Sequence, residues 1–199
     1  MNTMTSQLTV QEVPVTSLFD WISSGTPPSV TVEDLVAQGV ALARQGDFAG
    51  AIRLYDSAIS LQPAAAEIWL RKGNACRDLG DAAGAIRCYD EAILLRPGIS
   101  APWTLKGNVL KDQGRFRGAV ECYDAALELQ PDNVAAGKNR DDAMRVLRQM
   151  MTAEEWIGWG LSNFYRGRYA RANECYDVAL ELDPTNPIAR KNKADLRGR

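Results

Sequence analysis

Four cysteines, Cys76, Cys88, Cys122 and Cys175, are the only thiol nucleophiles and soft thiolate ligands in the chain, and none stands in a CxxC pair. The sequence has no histidine, so the commonest general base and the commonest metal ligand are both missing. Neither a zinc knot nor a disulfide framework is indicated, and a reducing cytoplasm is the expected setting. Asp and Glu are plentiful, but they alternate with Lys and Arg as on a solvated helix face and are not set as an acid and base pair. No glycine-rich phosphate loop is present. The expectation is a protein without catalysis, cofactor or metal. Side chains suited to recognition remain: Arg71, Asn74, Arg77 and Asp78, and at the same offsets 34 residues later Leu105, Asn108, Lys111 and Asp112. An asparagine amide can donate to and accept from a peptide backbone, and a basic row can take carboxylates, so such rows suit a peptide ligand.

Composition limits the partners. The chain has 199 residues, 46% apolar and 24% charged, which suits a soluble globular protein with one good core or two small ones. Its net charge of −2 hides a gradient from −4 over residues 1–65, through zero over 66–131, to +2 over 132–199. That gradient is too mild to predict nucleic acid as a partner, and the basic carboxyl end reads as a solvated helix terminus. No basic residue precedes Arg44 and no apolar run reaches membrane-spanning length, so neither a signal peptide nor a membrane partner is expected.

The elements that must hold these residues follow from a repeat. Pro63, Pro97 and Pro131 are 34 residues apart, and before them stand DFAGAIRLYDSAISLQP, DAAGAIRCYDEAILLRP and RFRGAVECYDAALELQP. A fourth copy, RYARANECYDVALELDP, ends at Pro184. Upstream of each lies a second helical stretch with a glycine in its middle: VEDLVAQGVALARQG, EIWLRKGNACRDLG, APWTLKGNVLKDQG and EEWIGWGLSNFYRG. Each unit reads as helix, turn, helix, with Gly46, Gly80, Gly114 and Gly167 ending the first helix and a proline ending the second. Mid-helix glycine costs roughly 1 kcal/mol of propensity. Gly39, Gly73, Gly107 and Gly160 are therefore expected to allow close approach, to Ala51, Ala85, Ala119 and Ala172 on the following helix. Tyr55, Tyr89, Tyr123 and Tyr176 are expected to fill the space between hairpins. Cys88, Cys122 and Cys175 share a repeat position with Leu54, which argues for packing rather than chemistry.

These residues resemble the tetratricopeptide repeat family. The pattern is carried in the first copy by Leu35, Gly39, Leu42, Ala51, Tyr55, Ala58 and Pro63, and in the second by Trp69, Gly73, Cys76, Ala85, Tyr89, Ala92 and Pro97. In the third it is carried by Trp103, Gly107, Leu110, Ala119, Tyr123, Ala126 and Pro131. The fourth matches at Trp156, Gly160, Ala172, Tyr176, Ala179 and Pro184, with Asn163 where a large apolar residue belongs. The resemblance covers residues 32–131 and 153–184. It implies an all-α fold, a right-handed α-solenoid of helix-turn-helix repeats with capping helices, and a scaffold or adaptor that holds another protein or peptide in a concave groove lined by the first helices. One familiar use of the family, clamping the terminal carboxylate of chaperone tails, is disfavoured. Val36 and Val40 occupy the places of the expected Lys and Asn; a shift by one repeat gives Asn74 but puts Leu70 in the lysine's place and Leu105 in that of the next asparagine.

The period breaks once. Pro131 and Pro184 are 53 residues apart, one period plus 19. The insert reads as a helix capped by Asn133, with Ala136, Ala143, Leu147 and Met150 along one side. DNVAAGKNRDDAMR and the carboxyl-terminal TNPIARKNKADLRGR look like one capping element used twice. The expected organisation is a flexible segment 1–30, three repeats over 31–131, an inserted cap over 132–151, a fourth repeat over 152–184, and a terminal cap over 185–199. The fourth repeat's first helix, begun by a Thr152 and Glu155 capping box, is apolar all round. Its Trp156, Ile157, Trp159, Phe164 and Tyr165 predict either cover from the flanking helices or an interface for a partner or a second copy of the chain, a homo-oligomer. Within the first segment, Leu18, Phe19, Trp21 and Ile22 are too apolar for a linker. They predict packing on the first repeat, or a tethered ligand for a groove of this chain or its neighbour.

Overall fold

The computed structural model describes residues 30–196, and the chain divides into two compact units, residues 1–64 and 65–199. All regular structure among the described residues is helical. In the first unit Thr31 opens α1 (Val32–Arg44) with a capping box: its Oγ1 accepts from the Asp34 N–H at 3.1 Å, and its own N–H donates to the Asp34 carboxylate at 3.1 Å. These bonds hold the Asp34 carboxyl below its ordinary value. Asp47 caps α2 (Phe48–Leu61) by accepting from the Gly50 N–H at 2.8 Å.

The second unit continues the alternation with α3 (Ala66–Asp78), α4 (Ala82–Leu95), α5 (Ser100–Asp112), α6 (Phe116–Leu129), α7 (Val134–Met150), α8 (Ala153–Tyr165), α9 (Tyr169–Leu182) and α10 (Pro187–Leu196). The four turn glycines, Gly46, Gly80, Gly114 and Gly167, have φ of 86°, 89°, 71° and 75°. Those values lie in the left-handed region where side chains clash, so the sequence expectation for these positions holds. The predicted Asn133 cap on α7 is present, accepting from the Ala136 N–H at 3.0 Å, as is the Thr152 and Glu155 box on α8.

The mid-helix glycines serve a different neighbour from the one expected. A Cβ on Gly107 would stand 2.6 Å from Cε1 of Tyr123, and one on Gly160 2.4 Å from Cε1 of Tyr176. Each glycine therefore makes room for the tyrosine ring of its own repeat, and the ring, more than the facing alanine, sets how closely the two helices approach. All four tyrosines are buried.

Two apolar clusters organise the second unit. Leu110, Ala119, Cys122, Tyr123 and Ala126 pack with Ala136 of α7, with Ile86 and Trp103 against them. Val120 of α6 joins Ala143, Met144 and Leu147 of α7, Trp156, Ile157 and Trp159 of α8, and Cys175, Val178 and Ala179 of α9. The insert α7 thus works at both ends: its first turns close the third repeat and its later turns form the floor on which the fourth is built. Charged residues fasten the same junction. Arg140 Nε meets Asp124 Oδ1 at 2.9 Å and Arg140 Nη2 meets Glu174 Oε2 at 2.6 Å. Arg171, 9% exposed, pairs with Asp124 and with Glu174. Burial pulls its guanidinium below the ordinary value, and Glu174 opposes that.

Candidate functional site

The residues that the sequence marks as candidates for recognition lie on α3 and α5, the first helices of the second and third repeats. Their asparagines follow the mid-helix glycine, and each amide meets the hydroxyl of the tyrosine that the glycine admits. Tyr89 Oη donates to Asn74 Oδ1 at 2.9 Å, and Tyr123 Oη donates to Asn108 Oδ1 at 2.8 Å. Burial raises both phenols, that of Tyr89 to about 12, so they stay protonated and able to donate. Asn139 of α7 also donates to Asn108 Oδ1, at 2.9 Å, while its own Oδ1 accepts from Lys111 Nζ at 2.9 Å.

This changes what the asparagines can do. The sequence expectation had them both donating and accepting, but the acceptor oxygens of Asn74 and Asn108 are spent on the tyrosines beneath them. Each Nδ2 has no protein partner among the described residues, so the two half-buried side chains keep a donor available for a ligand. Asn139 was missed in the sequence. Its signal is the Lys-Asn that DNVAAGKNRDDAMR and TNPIARKNKADLRGR share at matching places.

The charged members are less available. Arg71 pairs with Glu67 on its own helix at 2.9 Å, and Arg77 with adjacent Asp78 at 2.9 Å. Asp112 is exposed and Leu105 half-buried. Asn108 and Lys111 are brought together with Asn139, but no hydrogen bond or ion pair among the described residues joins the α3 row to the α5 row. Lys106 is held to Asp90 at 2.5 Å, tying α5 to α4.

Of the two readings of α8, cover from the flanking helices is the one found for three of its five residues, which leaves them no part in an interface. Trp156, Ile157 and Trp159 are 0%, 5% and 6% exposed, covered by α7 on one side and α9 on the other. An apolar girdle needs more than one covering surface, and this chain supplies both. Phe164 is half-buried and Tyr165 is 82% exposed; Phe164 packs edge-on against Tyr165 and Tyr169. Asn163 is buried, donating to the Trp159 carbonyl at 2.9 Å, while its Oδ1 finds no partner. Leu18, Phe19, Trp21 and Ile22 lie outside the described residues.

The four cysteines are buried free thiols, and burial pushes Cys122 up to about 11 and Cys175 to about 12. Among the described residues no group of side chains is arranged to hold a metal ion, and no helix is long and apolar enough to cross a membrane.

Three family models, each described as tetratricopeptide repeat, match residues 36–102, 100–133 and 153–186. No curated protein matches the chain. Similar solved structures include the Sgt2 TPR domain from Aspergillus fumigatus, 22% identical, covering 63% of this chain and 87% of that one with a TM-score of 0.56. The Arabidopsis OM64 TPR domain is 21% identical over 58% of this chain and 95% of that one, with a TM-score of 0.56. The second TPR domain of human RPAP3, solved in complex with the HSP70 peptide SGPTIEEVD, is 21% identical over 58% and 93%, with a TM-score of 0.53. At these identities the likeness is one of fold.

Proposed function

We propose that this chain, which belongs to the tetratricopeptide repeat family, acts without catalysis as a scaffold or adaptor that holds an extended or helical segment of another protein against α3, α5 and α7. Repeats of this family build interaction surfaces, and the finer reading rests on one observation: Asn74 and Asn108 have their oxygens turned inward to Tyr89 and Tyr123 and their amide donors unspent. Such a face selects acceptors. Backbone carbonyls of an extended segment fit it, and Lys111, with one proton engaged by Asn139, adds a cationic donor for a carboxylate or a further carbonyl.

A chaperone-tail clamp has less to support it. That ligand is said of RPAP3, whose likeness to this chain is one of fold. Here Leu70 and Leu105 stand where a clamp needs polar and basic side chains. Self-assembly through the fourth repeat has lost its main apolar contacts to the chain's own core.

Selection of random peptides on the full chain, followed by hydrogen exchange of the complex, tests the reading. Protection of α3, α5 and α7 is the expected footprint; selected peptides that protect only other helices would contradict it.

A further inference from the structure

The first repeat departs from a pattern kept by every later one. Two positions, one on each helix, correspond from repeat to repeat: Leu42 and Leu54 in the first, Cys76 and Cys88 in the second, Leu110 and Cys122 in the third, Asn163 and Cys175 in the fourth. The six later residues are all buried, whereas Leu42 and Leu54 are half-exposed. Ala41 is exposed although its counterparts Ala75 and Val109 are buried. In the third repeat this surface is covered by Ile86 of the preceding hairpin, and in the fourth by Val120 and Met144. In the first, the same surface is a cleft of about 270 Å³ between α1 and α2, with Ala41, Leu42 and Leu54 in its wall beside Gln38, Gln45 and Arg53.

We propose that residues 18–22 of the same chain fill this cleft and stand in for the hairpin that a preceding repeat would supply. Three properties of the sequence suit them to it. Leu18, Trp21 and Ile22 are spaced i, i+3 and i+4, so as one helical turn they share a face, with Phe19 beside it and Asp20 on the opposite side toward water. The linker reaches: nine residues, 23–31, separate Ile22 from α1. Fully extended at about 3.3 Å each they span roughly 30 Å, more than the roughly 20 Å length of α1 itself. The tether also favours this occupant, since a ligand joined through so few residues is held at an effective concentration on the order of millimolar, above that of a second copy in solution.

Hydrogen exchange on the full chain tests the assignment from both sides of the contact. Phe19→Ala with Trp21→Ala should speed amide exchange in α1 and α2 by roughly tenfold, leaving α5 and α6 unchanged. Ala41→Glu, at an exposed position whose side chain takes no part in the core, should speed exchange in residues 16–22 by a similar factor. Unchanged exchange in both variants would overturn the proposal. The same measurement at two concentrations a hundredfold apart, with light scattering, separates the source of the segment. Equal protection and a monomer mass are expected; protection that appears only with a doubled mass would give the cleft to a second copy and overturn the assignment to the same chain.

Discussion

The third and fourth repeats share a glycine, a tyrosine and a hairpin geometry, yet they have been put to different uses. In the third, Gly107 admits Tyr123, whose hydroxyl anchors Asn108 and leaves an amide donor facing outward. In the fourth, Gly160 admits Tyr176 in the same way, but Leu161 follows where an asparagine stood, and the Tyr176 hydroxyl is buried with no partner. Trp159 replaces Lys106, and the surface that was polar in the third repeat is sealed against α7 and α9. The comparison teaches that the tyrosine is there for packing, and that the residue after the glycine decides whether its hydroxyl finds a partner.

The difference can be broken most severely at Trp156, wholly buried in the fourth repeat's core. Trp156→Ala should cost about 3–5 kcal/mol, read as loss of the fourth repeat's transition in chemical denaturation while exchange in α3–α6 stays slow. Arg171→Ala comes next. It leaves Asp124 and Glu174 bridged by Arg140 alone, and should cost about 2–3 kcal/mol for the lost charged hydrogen bonds, seen as faster exchange confined to α8–α10. In that variant Cys175 should alkylate before Cys122. Both thiols are raised by burial, to about 12 and about 11, so they stay protonated in the fold. Their contribution to stability is complete below the ordinary thiol value near 9 and is lost as pH rises toward the folded values.

Smaller changes sharpen the contrast. Asn108→Ala strands the Tyr123 hydroxyl and the Asn139 amide, and should lower stability by about 1–3 kcal/mol in a urea melt. Asn163→Leu moves in the other direction, because it removes the buried oxygen that has no partner and restores the apolar residue the repeat pattern expects; a gain of about 1 kcal/mol is expected by the same melt. The smallest test pairs two identical substitutions. Tyr123→Phe should cost about 1 kcal/mol for its lost hydrogen bond and Tyr176→Phe close to nothing. Equal costs would remove the distinction between the two repeats.

Much of this was legible because the repeat states each position several times. Capping residues, turn glycines and closing prolines are local signals that read the same in every copy, so the helices and the insert could be placed from spacing alone. What spacing did not tell was which partner each side chain takes. The mid-helix glycines were matched to the facing alanines, since both are small, when the contact that excludes a Cβ is with the tyrosine ring. The sequence shows that Asn74 and Asn108 can both donate and accept, but not that their oxygens are taken, because the hydroxyls that orient them lie 15 residues away. On α8, periodicity showed that apolar residues point all round, but whether a partner or the chain itself covers them depends on the packing of α7, which begins in one core cluster and ends in the other.

The central claim is that the first-helix face presents amide donors held in place by tyrosines, and an isosteric change tests it most directly. Asn74→Asp and Asn108→Asp keep an oxygen for Tyr89 and Tyr123 but remove the outward donor, so the fold is expected to survive. The affinity of a selected peptide, measured by calorimetry on the full chain and on each variant, should fall by roughly tenfold for either substitution, with unchanged melting. Affinities equal to that of the unaltered chain would contradict the account and move the binding surface elsewhere.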